Sequence, residues 1–192
     1  MHQTMQITTQ LFQMLQEQSM IELLDKLAEH HEPTWKHSMH VAMYSARIGY
    51  DMGLPESSLR NLLIGALLHD IGKLEIPTSI LSKPDKLTDK EYQLIQTHPV
   101  LGKEIAEQYG YDAPITDIIL LHHVNYNHTG YPNWLGDIPI EAQIVRITDT
   151  FDAMTMERSY QGPLPSKVVK ELLTCYAGTS YNPGILTKLS VL

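Results

Sequence analysis

The 192-residue sequence predicts an all-α fold, a bundle of about seven to nine helices, on three observations. Apolar residues recur at helical spacing along most of the chain. Proline and glycine cut that pattern into segments of ordinary helix length. No segment alternates apolar and polar residues with period two, so the signature of a half-buried strand is missing.

The elements follow in order. Leu11, Phe12, Leu15, Ile21, Leu24 and Leu27 give a first helical stretch to about residue 30, ended by Pro33. A second helix runs from about Thr34 to Met52 and is closed by Gly53 and Pro55. A third, rich in leucine, runs from about Glu56 to His69, after which Gly72, Pro77 and Pro84 mark an irregular connector. Thr88-Asp89-Lys90-Glu91 is a capping box that opens the next helix. His98-Pro99 interrupts, and a further helix runs to Tyr109 with Gly110 as its stop. Pro114 starts a helix through Ile115, Ile118 and Ile119 to His123. Residues 124–139 are rich in glycine, proline, asparagine and aromatics and read as one long loop, of a length that is often functional. Helices from about Ile140 to Glu157 and Ser166 to Tyr176 complete the bundle. The organisation expected is an N-terminal helical segment, 1–32, and one domain, 33–192.

The composition sets limits. Hydrophobic residues at 43 % and charged residues at 19 % suit an ordinary globular core. A formal charge of −8 argues against DNA or RNA duplex binding, which needs a basic surface. Cys175 is the only cysteine, so no disulfide forms within the chain, and a reducing cytoplasm is expected. No signal peptide and no run of about 18 apolar residues is present, so membrane insertion is not expected.

Ten histidines are present, and several fall on apolar faces. His37 shares a stripe with Val41, Tyr44 and Ile48, His98 lies four residues after Leu94, and His122 and His123 follow Ile115 and Ile119 at helical spacing. His69-Asp70 ends the leucine-rich helix, and Asp149 lies four and seven residues after Val145 and Ala142. Each has a plain reading alone: a core histidine bonded to a carbonyl, a solvated aspartate at a helix end. A buried aspartate in mid-helix, however, is disfavoured by propensity and desolvation alike. Together, five imidazoles and two carboxylates form a ligand set for a transition metal rather than calcium. Seven side chains exceed one tetrahedral site and suit two octahedral ions with one bridging carboxylate.

These residues resemble the HD superfamily of metal-dependent phosphohydrolases: His37, then His69-Asp70-Ile71-Gly72-Lys73, then a distant Asp149. Ile76-Pro77, Ile80-Leu81, Lys83-Pro84, His98-Pro99, His122-His123, Gly130-Tyr131-Pro132, Ile138-Pro139, Arg146-Ile147, Asp152-Ala153, Arg158 and Tyr160 extend the resemblance to the HD-GYP subfamily over about residues 34 to 185. The resemblance implies an HD-domain bundle with a long GYP loop. It implies hydrolysis of cyclic di-GMP to linear pGpG or to GMP by a dinuclear-metal-activated hydroxide. It implies one metal on His37, His69, Asp70 and Asp149, and another on Asp70, His98, His122 and His123, with Asp70 bridging and Lys73 on the scissile phosphate. The metals expected are iron or manganese, with nickel or zinc as alternatives.

Three positions depart from the subfamily pattern. Pro33 stands where many members have a glutamate that helps hold a third metal, so two metals are expected. Val124 replaces a glutamate after the paired histidines, and Asn127-His128 replaces Asp-Gly before the Gly-Tyr-Pro loop. His128 reads as a solvated loop histidine. Arg146 either binds phosphate or pairs with a structural carboxylate; Tyr131 either stacks on a guanine or packs the loop, with Gly130 permitting a tight turn and Pro132 stiffening it. Two other functions remain in view: an HD hydrolase of another nucleotide, and a weakly active cyclic-dinucleotide-binding signalling module. The N-terminal helix is a candidate surface for a homodimer or a separate sensor partner.

Overall fold

The computed structural model describes residues 18–156 and 162–192. Leu11, Phe12 and Leu15, and Arg158 and Tyr160, lie outside the described residues. The order is α1 (Gln18–His30), α2 (Glu32–Asp51), α3 (Glu56–Leu68), a 3-10 turn (Ile71–Glu75), α4 (Thr78–Leu81), α5 (Asp89–Ile95), α6 (His98–Gln108), α7 (Ala113–Leu121), α8 (Ile140–Thr155), α9 (Ser166–Cys175), α10 (Pro183–Leu186) and a closing 3-10 turn (Leu189–Val191). Among the described residues only two isolated β-bridges form, Val124 with Gly130 and Ala177 with Tyr181. The all-α expectation holds, with the short α4, α10 and both 3-10 turns as additions to it.

α3 is the central helix, because every residue from Leu62 to Leu68 is buried. A helix apolar on all sides must be surrounded, and α2, α7, α8 and α1 pack around it. α2 approaches through small buried residues, Ser38, Ala42, Ser45 and Gly49, that share one stripe. Ser45 Oγ lies 2.7 Å from Thr148 Oγ1 in the interior, tying α2 to α8. α1 adds Met20, Leu23, Leu24 and Leu27 to the same core.

Two boundaries position the site. α3 ends at Leu68, so His69 and Asp70 occupy the turn beyond it. α5 buries none of its residues and stops at Ile95. His98 therefore opens a new helix rather than extending the inner face of the previous one; Leu94 is exposed.

Candidate metal centre

The 3-10 turn carrying Asp70 lies against the start of α6. A Cβ on Gly72 would stand 2.0 Å from the His98 carbonyl oxygen and 2.5 Å from Gly102 N. Only a residue without a side chain allows that approach, and it brings Asp70 to His98. His98 Nε2 is 3.2 Å from Asp70 Oδ1.

Three imidazoles are aimed by one device. The last carbonyls of a helix lack intrahelical partners. His69, His98 and His122 each place Nδ1 on the carbonyl three residues back: Ala66 at 2.8 Å, Ile95 at 2.7 Å and Ile119 at 2.7 Å. Nδ1 then carries the proton, and Nε2 faces inward as a lone-pair donor. His98 Nε2 and His122 Nε2 lie 3.1 Å apart. His69 Nε2 is buried without a hydrogen-bond partner among the described residues.

The carboxylates span the two halves of the cluster. Asp70 turns Oδ1 to His98, while Oδ2 lies 3.5 Å from His69 Nε2 and 4.0 Å from His37 Nε2. Asp149 turns Oδ1 to His37 Nε2 at 3.0 Å and Oδ2 to His123 Nδ1 at 3.8 Å. Two groups bring their ligand atoms within 4.8 Å of one another: His37, His69 and Asp70, and His98, His122 and His123. All seven residues singled out from the sequence thus converge.

Burial drives the electrostatics. It pushes the pKa of His69 down, and those of His122 and His123 well below the ordinary imidazole value, keeping these rings neutral. Burial opposes charge on His37 too, but hydrogen bonds to Asp149 and Asp152 outweigh it and push its pKa up to about 9. Desolvation would raise Asp70 and Asp149; the Lys73 ammonium and the His37 hydrogen bond, respectively, hold them well below the usual carboxylate range. His69, His122 and His123 as neutral imidazoles, and both carboxylates in ionised form, are ready to bind a cation, whereas His37 would release a proton on binding one. The orphaned His69 Nε2 and the thiolate-free N/O donor set fit a divalent transition metal.

The other expected residues lie around this centre. Lys73 Nζ donates to Asp70 Oδ2 at 2.6 Å. Tyr131 packs its ring on His123, with centroids 4.6 Å apart, and meets His98 edge-on at 6.4 Å. Gly130 has φ +96, and a Cβ there would stand 2.3 Å from the His123 carbonyl oxygen, so the loop can close on the paired histidines only with glycine. Pro132 follows in a cis bond. Among the described residues Arg146 pairs with neutral acceptors rather than a carboxylate. Nε and Nη2 donate to Asn125 Oδ1 at 3.2 and 3.0 Å, Nη1 donates to Thr150 Oγ1 at 2.9 Å, and the guanidinium lies over the Tyr181 ring. Val124 is buried with Leu120, Leu121 and Ala142, and His128 is exposed.

Sequence reasoning quoted Asp152 within the family motif but gave it no role; its Oδ2 lies 2.6 Å from His37 Nδ1. The signal was there: a second aspartate one turn after Asp149, beside Phe151 on an apolar helix. It also missed Asn125 as the partner of Arg146, for which no local pattern exists.

Fold and centre define a class: a helical bundle that gathers histidines and aspartates from five parts of the chain around an interior that could hold cations. The chain belongs to the HD domain family, which matches residues 18–185. A cyclic di-GMP phosphodiesterase of Thermotoga maritima is 34 % identical over 173 residues, covering 86 % of this chain and 46 % of that protein. The 3'3'-cGAMP-specific phosphodiesterase 2 of Vibrio cholerae is 36 % identical, covering 81 % and 31 %. The cyclic di-GMP phosphodiesterase response regulator RpfG of Xanthomonas campestris is 36 % identical, covering 74 % and 39 %. The chain thus spans less than half the length of these relatives. The HD domain of PgpH, a phosphodiesterase of L. monocytogenes solved with cyclic-di-AMP, superposes with a TM-score of 0.66 at 22 % identity, covering 88 % of this chain and 91 % of that one. The HD-GYP resemblance drawn from the motifs agrees with these relatives.

Proposed function

We propose that this chain is a metal-dependent phosphodiesterase that hydrolyses cyclic di-GMP to linear pGpG or GMP. The observation that carries the reading is Asp70, whose two oxygens face the two groups of imidazoles separately. In this reading His37, His69, Asp70 and Asp149 hold one divalent ion, and Asp70, His98, His122 and His123 hold a second. The N/O donor set suits iron or manganese and also accommodates nickel or zinc. Ions so held supply Lewis acidity, lowering the pKa of a water and neutralising charge on phosphoryl oxygens.

The chain's own residues do the rest. Asp70 and Asp149 contribute two negative charges and leave net positive charge for an anionic substrate. Lys73, only partly buried, moves its ammonium from Asp70 to a phosphate oxygen. Arg146 is held by neutral acceptors among the described residues, which leaves its guanidinium charge available to a second phosphate. Gly130, Tyr131 and Pro132 form the wall beside His98 and His123, and the Tyr131 ring offers a face to a purine.

The relatives' names support a cyclic dinucleotide as the substrate class. The test is metal analysis joined to turnover of cyclic di-GMP, 3'3'-cGAMP and cyclic-di-AMP. Purified protein is expected to carry about two iron or manganese equivalents. His69→Ala and Asp70→Ala are expected to abolish metal retention and turnover together. Full activity after exhaustive demetallation would overturn the assignment. The altered loop at Asn127-His128 favours a second reading, a weakly active binding module, marked by tight binding without turnover in metal-replete protein.

A further inference from the structure

His37 cannot be aimed as the other histidines are. His69, His98 and His122 anchor Nδ1 on carbonyls at helix ends. His37 sits near the start of the twenty-residue α2, where carbonyls of the preceding turn serve the helix ladder. Its Nδ1 goes instead to Asp152 Oδ2, at 2.6 Å, on α8 and one turn beyond Asp149. Asp152 is 2 % exposed. Asp152 lies in the last turn of α8, and burying a carboxylate there is costly unless it is matched by a specific contact. Oδ1 of the same carboxylate lies 3.3 Å from His40 Nδ1, and neither of those two atoms has a hydrogen-bond partner among the described residues. The bond to His37 is therefore the one that Asp152's side chain makes there.

We propose that Asp152 is a positioning residue: by accepting a hydrogen bond from His37 Nδ1, it turns His37 Nε2 toward Asp70 and Asp149. The proposal rests on the reading of His37 as a metal ligand. A carboxylate behind a ligating imidazole fixes its tautomer and orientation, and losing such a partner weakens metal binding about 10–100-fold.

The test is Mn²⁺ titration calorimetry on the full chain, as wild type, Asp152→Ala and Asp152→Asn, with the melting temperature without added metal as a control on folding. Asp152→Ala is expected to weaken Mn²⁺ binding about 10–100-fold. Asp152→Asn, whose amide oxygen can still accept from Nδ1–H, is expected to recover most of that loss. Equal affinity in wild type and Asp152→Ala overturns the proposal, as does an equal loss in both variants. If Asp152→Ala does not fold, ¹⁵N NMR of the Zn²⁺-loaded wild type decides. A proton on His37 Nδ1 with the metal on Nε2 supports the proposal, and the opposite tautomer refutes it. Wild type that takes up neither Mn²⁺ nor Zn²⁺ fails the metal reading itself, an outcome distinct from a failure of Asp152 alone.

Discussion

His128 occupies a backbone position that few side chains tolerate. Its φ is +64, and the residue is exposed, so no packing compensates the strain. A left-handed residue with a Cβ costs about 1–2 kcal/mol, while glycine brings an unfolded-state entropy penalty of about 0.5–1 kcal/mol. His128→Gly is therefore expected to raise stability by a few tenths to about 1 kcal/mol. A β-branched side chain is worse there, so His128→Val is expected to lower stability by about 1 kcal/mol or more. Urea denaturation of the three proteins checks the order, and a valine variant as stable as the glycine variant would contradict it. Val124 is the opposite case, since it joins an apolar cluster under the loop, with Trp134 and Ile138 packed against it.

At the scale of elements, the capping box at α5 was legible in full, because its signal is four consecutive residues. Thr88 Oγ1 accepts from Glu91 N, and Glu91 Oε2 accepts from Thr88 N at 2.7 Å. Lys83 Nζ adds two bonds to the same carboxylate, at 2.8 and 2.7 Å. The Lys83 hydrogen bond, then those from Thr88, depress the Glu91 pKa from 4.5 to about 2. A depressed folded pKa contributes stability that is present above the unfolded value and is lost as pH falls through the folded one. The α5 start is thus expected to hold at pH 4.5 and above and to loosen toward pH 2. NMR titration of the Glu91 side-chain carboxyl checks this; Thr88→Ala should move the midpoint up, and a wild-type midpoint near 4.5 would rule the box out. Helical periodicity similarly exposed the inward faces carrying His37, His122 and Asp149. It reached the burial of His98 by a wrong route, because the break at Thr97 turns a new helix inward, and its direction depends on Gly72 meeting α6. The inward aspartate at 152 was marked by its place on an apolar helix, but its pairing with His37, 115 residues away, has no local signature.

At the scale of the molecule, the question is how much of the bundle the site needs. Residues 1–32 read as a segment apart because Pro33 interrupts the apolar pattern, yet α1 buries Met20, Leu23, Leu24 and Leu27 almost completely. Full burial of such a side chain contributes about 1.5–3 kcal/mol, so α1 supplies up to about 6–12 kcal/mol, an upper bound because unfolded chains already bury some of this surface. That is comparable with the whole stability of a typical domain, about 5–15 kcal/mol. α1 also packs against the 3-10 turn beside Asp70, and His30 Nε2 lies 2.9 Å from the Ile76 carbonyl at the end of that turn. A chain starting at Gln18 keeps α1 and serves as the reference. One starting at Glu32 should lose the cooperative transition and its Mn²⁺ binding together, because exposing the α3 face and freeing the turn displaces Asp70 from the imidazoles. Calorimetric melting of both truncations, with Mn²⁺ titration at a temperature below the transition, separates the alternatives. A 32–192 chain that melts and binds as the full chain does would mean that the elements carrying the ligands, α2, α3, α6, α7 and α8, hold the centre unaided and that α1 only covers it.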